Sequence, residues 1–361
     1  MRAVLVLEDG RVFPGRGLGV EGERIGELFF NTAVVGYQEM LTDPANAGKI
    51  LVLTYPLIGN YGCAAKFNES KQAWPFGFVI KENSRIYSNW QAKESLADFV
   101  KKQKILTIQG VDTRTLAVHL RQKGQMLGVV STLNFEPKGL IEKIKAFRKN
   151  QSASFLPAIS AHKPEHLTKR RSGAKKIGIL DLGITKSIIR QLEALGLAII
   201  VLPYNFPPKE ILRLKLHGLI VSSGPEEDPG LREVVENVGD LIAKMPMLGI
   251  STGHQVISRA LGGKLAKMKL GHHGVNLPIY NPASYKGAIT VQNHSWVVDA
   301  DSLAKIKNIK ITAYNLNDRS IEEIESKKLK IIGTQYIPAS PGFNEINSTL
   351  KNFVKYLKRS S

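Results

Sequence analysis

From Ile177 onward the chain alternates short apolar runs with amphipathic stretches, and this alternation restricts the possible folds more than any other feature. Residues 177–182, 198–202, 218–222 and 247–250 read as strands; 186–195, 209–215, 231–244 and a stretch starting at Gly253 read as helices. Strands of four to six apolar residues separated by helices mean βαβ crossovers, so residues 176–361 are expected to form a doubly wound parallel sheet. Such sheets place their sites at the carboxyl ends of strands. The loops after Leu182, Ser222 and Ile250 are therefore where chemistry is expected.

The full length of 361 residues exceeds one ordinary core and favours two domains. In the first, residues 1–152, short apolar runs at 3–7, 27–30, 50–54 and 76–81 are broken by turn residues and read as strands. Helical patterns follow at 95–104 and 113–123, the second stopped by Gly124. A mixed α/β, largely β domain is expected. Residues 153–175 show no sustained period and gather Pro, Ser, Gly and basic side chains, which reads as a linker.

A composition of 43% hydrophobic and 22% charged residues is that of a globular protein. The single cysteine, Cys63, excludes a disulfide framework and every zinc site built on two or more cysteines; no metal-ligand spacing appears elsewhere. Acids at Glu8 and Asp9 precede any apolar stretch long enough for a secretory leader, and the most apolar stretch, 195–202, falls far short of a membrane span. A cytoplasmic, reducing setting with no membrane partner is expected. The formal charge of +19 includes clusters at Lys101, Lys102 and Lys104, at 169–171, and at Lys355, Lys358 and Arg359. These are scattered, with no zinc finger, aromatic RNA-binding signature or basic helix, so a solvated basic surface is preferred to nucleic-acid binding.

The sharpest local signal is Gly249-Ile250-Ser251-Thr252-Gly253, which follows a strand and opens a helix. It satisfies the G-x-S-x-G pattern of a nucleophile elbow, where glycines permit a tight strand-to-helix turn that presents the central side chain. A serine hydroxyl is nearly inert without a base. His254, His272, His273 and His294 are the only histidines that follow closely enough, and of these His294 is the best candidate, with nothing in the sequence to aim it at Ser251. A serine hydrolase using Ser251 remains one reading of the motif.

The residues around the elbow support another. Gly249-Ile250-Ser251-Thr252-Gly253-His254-Gln255 resembles the G-I-C-x-G-H-Q elbow of triad-type glutamine amidotransferases, with serine in place of cysteine. The segment from Ser222 to Pro229, Ser-Ser-Gly-Pro-Glu-Glu-Asp-Pro, resembles the family's S-N-G-P-G-D-P loop. Gly271-His272-His273-Gly274 and Gln292-Asn293-His294 resemble later motifs. In the N-terminal half, LVLEDGRVFPG, GELFFNTAVVGYQEMLTDP, TYPLIGNYG, SNW and GVDTRTLAVHLRQKG are similar to the small subunit of carbamoyl-phosphate synthase.

This resemblance implies a glutaminase-like second domain. In that family a cysteine thiolate attacks the glutamine side-chain amide, a histidine moves the protons and a glutamate orients the histidine. Ammonia then passes to a large subunit, which makes carbamoyl phosphate for arginine and pyrimidine synthesis. ATP and magnesium belong to that large subunit, and this chain needs no cofactor of its own.

The chain departs from the family at each reactive group. Ser251 stands at the nucleophile position. The Q-x-H-P-E-A-S-P-G motif appears as Gln335-Tyr336-Ile337-Pro338-Ala339-Ser340-Pro341-Gly342, so Ile337 replaces the histidine and no glutamate follows Pro338. By the same matching, the glutamine pocket retains Gly224, Gln255 and Asn293 but carries Ala45 for a serine, Glu226 for a glycine, Thr252 for a leucine, and Ser295-Trp296 for a glycine-aromatic pair. A carboxylate at Glu226 disfavours a ligand with an α-carboxylate; the alternative is that Glu226-Glu227 loops out and leaves the pocket intact. The expectation is a small subunit that has lost glutaminase activity, serves an ammonia-using synthase and partners its large subunit. A free-standing binding or regulatory protein that senses a small amide, glutamine among the candidates, or another partner is the competing class.

Overall fold

The computed structural model describes residues 1–149, 153–168, 173–342 and 345–357. They divide into one unit of Met1–Ser152 with Lys269–His273 and a second of Ala153–Met268 with Gly274–Ser361.

The first unit is built on a closed barrel, ordered Arg2–Leu7, Val12–Gly19, Leu106–Gln109, Gly77–Val79, Ile50–Leu53, Glu23–Asn31 and Leu127–Ser131. Arg2–Leu7 pairs antiparallel with both of its neighbours, whereas Glu23–Asn31, Ile50–Leu53, Gly77–Val79 and Leu106–Gln109 run parallel in sequence around the wall. The continuous apolar runs are explained by coverage on both faces. Leu5, Leu7, Ile50 and Val52 join one buried cluster, while the alternate residues Val4 and Val6 join a second and Leu51 and Leu53 a third. Ser95 caps the helix Leu96–Lys102 by accepting from Asp98 N at 3.1 Å, and Asp112 caps Thr113–Lys123 by accepting from Thr115 N at 3.0 Å.

The second unit contains a ten-stranded sheet. Its parallel centre runs Ala198–Pro203, Lys176–Asp181, Gly218–Val221, Met247–Ile250 and Ile331–Thr334. Antiparallel strands extend both sides: Glu165–His166 beyond Ala198–Pro203, and Ile321–Ser326, Lys310–Asn315, Leu265–Asn281 and Lys286–Val298 beyond Ile331–Thr334. Alternation again separates two cores. Leu180, Leu219, Val221 and Met247 pack with Leu231, Val234, Val256 and Ile257 on one face. Ile177, Ile179, Ile220, Leu248 and Ile250 pack with Ile188, Leu192, Leu350 and Phe353 on the other.

The stretch read as a linker is more ordered than its composition suggests. It contributes the helix Leu156–Ile159 and the strand Glu165–His166 to the second unit. Asp228 holds its start: the carboxylate accepts from Ser154 Oγ and Phe155 N, both at 2.5 Å, and from Leu156 N at 3.2 Å. An apolar period is absent because few residues are involved and polar contacts do the anchoring. The basic cluster at 169–171 lies outside the described residues, as do Lys358 and Arg359. Among the described residues no helix is long and apolar enough to cross a membrane.

Trp74 is a core residue at 7% exposure, but Trp90 is 86% exposed with the Lys66 ammonium 5.6 Å from its ring centroid. His119 is packed and pinned, with Nε2 2.7 Å from Asp9 Oδ2. Cys63 is buried among Tyr37, Leu96 and Phe99, and burial pushes its thiol up to about 12. Thiolate is the reactive form, so this packing makes the sulfur inert. In native buffer Cys63 should therefore resist a disulfide-forming chromogenic thiol reagent, reacting to one equivalent per chain only after denaturant is added; rapid native labelling would contradict the burial.

Candidate active site

The turn between Met247–Ile250 and the helix Thr252–Ala260 is as tight as the glycine spacing requires. Ser251 has φ 51° and ψ −110°, a left-handed backbone costly for a residue with a Cβ, and its N–H donates to Thr334 O at 2.7 Å. A Cβ on Gly253 would lie 1.9 Å from Val221 O, and one on Gly249 would lie 2.7 Å from Gly253 O. Side chains at either position would force the helix off the sheet.

Ser251 is 2% exposed and makes no side-chain cap to its helix. The four histidines that follow the elbow sit in different surroundings. His254 is fully buried with no partner on either ring nitrogen, and a Cβ on Gly333 would lie 2.5 Å from its Nδ1. His294 is fully buried and faces two acceptors of its own strand, Gln292 Oε1 at 3.1 Å from Nε2 and Trp296 O at 3.2 Å from Nδ1. His272 and His273 sit within the long strand Leu265–Asn281 rather than in the loop that their flanking glycines suggest. His273 belongs to the first unit, where its ring centroid is 4.6 Å from that of Phe29 and its Nε2 is 2.7 Å from Gln125 Nε2.

Ile337 is half-buried and packs against the cluster containing Ile250, Leu350 and Phe353; its N–H donates to Val291 O at 2.9 Å. The shortened loop after it is tied down. Gln191 Nε2 donates to Pro338 O at 3.0 Å, Asn347 Nδ2 donates to Ala339 O at 2.9 Å, and Asn347 N donates to Gln191 Oε1 at 2.8 Å. An aliphatic side chain thus occupies position 337 in a fixed backbone. Gln191 and Asn347 carry no motif in the sequence; only the fold shows that they brace this loop.

The remaining second-unit positions assemble beside the elbow. Gly224 approaches Leu182 O so closely that a Cβ would lie 2.1 Å away, and its own carbonyl accepts from Thr252 Oγ1 at 2.6 Å. Glu226 does not loop out. Its carboxylate accepts from Gln255 Nε2 at 2.7 Å, Ser295 N at 2.7 Å and Trp296 N at 3.2 Å. Glu227 accepts from Trp296 Nε1 and Lys267 Nζ, each at 3.0 Å. Asn293 is half-buried on the same strand, Lys286–Val298. Ala45 lies in the first unit, buried in the turn Pro44–Asn46, where its N–H donates to Asp43 Oδ1 at 2.9 Å.

Two family descriptions match the chain: carbamoyl-phosphate synthase small chain, CPSase domain, over residues 5–130, and glutamine amidotransferase class-I over residues 178–356. The carbamoyl phosphate synthase small chain of Syntrophotalea carbinolica is 36% identical, covering 100% of this chain and 99% of that protein. The small chain of Akkermansia muciniphila is 38% identical, covering 100% and 98%. The chloroplastic small chain of Arabidopsis thaliana is 36% identical, covering 99% and 86%. Among solved structures, a glutamine amido transferase from Methylobacillus flagellatus covers 52% of this chain and 96% of its own at 14% identity and a TM-score of 0.39.

Complete burial without a hydrogen-bond partner pushes His254 from its ordinary 6.5 down to about 3. Between those values the unfolded chain binds a proton on this ring and the folded chain does not. His254 therefore permits full stability above about pH 6.5 and drains it as pH falls towards 3, at up to about 1.4 kcal/mol per pH unit. Urea midpoints measured from neutral pH down to about 4 should fall less steeply in His254→Leu than in the native chain. Identical slopes would show that this ring is not what titrates.

Proposed function

Because the chain belongs to the carbamoyl-phosphate synthase small chain family, with a class-I glutamine amidotransferase domain as its second half, we propose that it is a small subunit that has given up glutamine hydrolysis and serves a synthase fed by free ammonia. The observation that carries this reading is Ile337: where the family motif calls for a histidine, an aliphatic side chain packs on the Ile250 cluster. Acyl transfer from glutamine needs a nucleophile to lose its proton as it attacks the amide carbon and a group to return that proton to departing ammonia. Ser251 has a hydroxyl, but Ile337 stands where the motif has the imidazole, and Ala339 follows Pro338 where a carboxylate would have oriented it.

What remains is a scaffold. The barrel unit carries the motifs that in the family contribute to the large-subunit contact, so a large subunit is the proposed partner, with ATP and magnesium acting there rather than on this chain. Its product, carbamoyl phosphate, would enter arginine and pyrimidine synthesis. The basic surface needs no nucleic-acid partner in this reading.

Mixed with a large subunit, the native chain should support carbamoyl phosphate formation from ammonium and give no glutamine-dependent product above that background. Glutamine-dependent synthesis that disappears in Ser251→Ala would overturn the proposal. Ser251→Cys by itself should leave glutamine turnover at background, since a missing general base costs about 10²–10⁴-fold. Restoration by that single change would mean that another group supplies the base.

A further inference from the structure

Glu226 stands at a position matched to a glycine of the family loop, and its carboxylate is turned onto the residues matched to the glutamine pocket. It accepts from Gln255 Nε2, Ser295 N and Trp296 N, at 2.7, 2.7 and 3.2 Å. These donors come from the elbow helix Thr252–Ala260 and from the strand Lys286–Val298, so one side chain bridges two walls of the site. Gln255 is 2% exposed and directs the same Nε2 towards Trp296 O at 3.0 Å, which leaves its amide nitrogen fully used and its Oε1 unpartnered. The neighbouring Glu227 holds the Trp296 indole N–H at 3.0 Å, fixing the ring next to the bridge.

We propose that Glu226 is a built-in occupant of this pocket, a tethered carboxylate that takes the donors a free amino-acid ligand would need and so prevents the chain from binding glutamine. The proposal rests on the functional reading above, because that reading places the glutamine pocket here, but it concerns binding and not turnover. Three donors on one carboxylate, two of them backbone N–H groups, form a charge-assisted set that a competitor must replace in full. The competitor also faces a tether: a group fixed within the same chain acts at an effective concentration of about millimolar or above. A glutamine carboxylate arriving in the pocket would lose these donors and meet the Glu226 charge as well.

The test is calorimetric titration of L-glutamine into the full chain. The native protein should give no binding heat, Glu226→Gly should bind with an affinity at least about tenfold above any native signal, and Glu236→Gln, at an exposed carboxylate of the helix Leu231–Gly239, should stay as silent as the native chain. Glu226→Gln, which keeps the shape and removes the charge, should fall between the two and guards against a folding defect in the glycine variant. Native binding equal to that of Glu226→Gly would overturn the proposal, as would silence from folded, cooperatively melting Glu226→Gly and Glu226→Gln. Either result would leave the loss of glutamine hydrolysis standing, since that depends on Ser251 and Ile337 and is read in the synthase assay. Binding by Glu226→Gly without turnover would support the built-in occupant and leave the functional reading unchanged.

Discussion

The second unit is organised by the close approach of one helix to one sheet at Ser251. Gly253 all but touches Val221 O, Gly249 packs against the first turn of the helix, and Ser251 itself takes a positive φ anchored by Thr334 O. Such a conformation costs about 1–3 kcal/mol and persists only where the surroundings over-determine it. Here they do: Thr252 through Ser258 are all buried against the sheet. With the helix fixed, Thr252 can reach Gly224 O and Gln255 can face Glu226, so these two contacts follow from the elbow.

Around this turn the side chains pack and bridge. Ile337 adds apolar surface to the Ile250 cluster, Gln191 and Asn347 brace the shortened loop behind it, and Glu226 links the elbow helix to the strand Lys286–Val298. Each replacement is compatible with stability. A buried donor left unpaired costs about 1–3 kcal/mol, and the Glu226 carboxylate removes that cost for the Ser295 and Trp296 backbone N–H groups. The strained elbow is held by its glycines and by the burial of its helix against the sheet.

Legibility followed burial. Strands covered on both faces announce themselves as apolar runs, so the parallel centre of the second unit and the barrel strands Arg2–Leu7 and Ile50–Leu53 could be read directly. Val12–Gly19 could not, since Pro14 and three glycines interrupt it and half of it is exposed. Leu265–Asn281 and Lys286–Val298 have mostly exposed or half-exposed residues and give no period, so His272 and His273 read as a loop from their glycines alone. Hydrogen bonding to a neighbouring strand made that segment a strand, and pairing partners are invisible in one sequence.

The sequence by itself determined the two-part organisation, the parallel sheet, the elbow and the identities of Ser251, Ile337 and Ala339, because apolar periodicity and short motifs are local properties of a chain. Tertiary structure decided what the replacements do. Whether Glu226-Glu227 looped outward or turned inward depended on donors 69 and 70 residues away at Ser295 and Trp296. Where the His294 ring points depended on the acceptors at Gln292 and Trp296 that its own strand presents. Those outcomes rest on hydrogen-bond geometry between segments brought together only by folding.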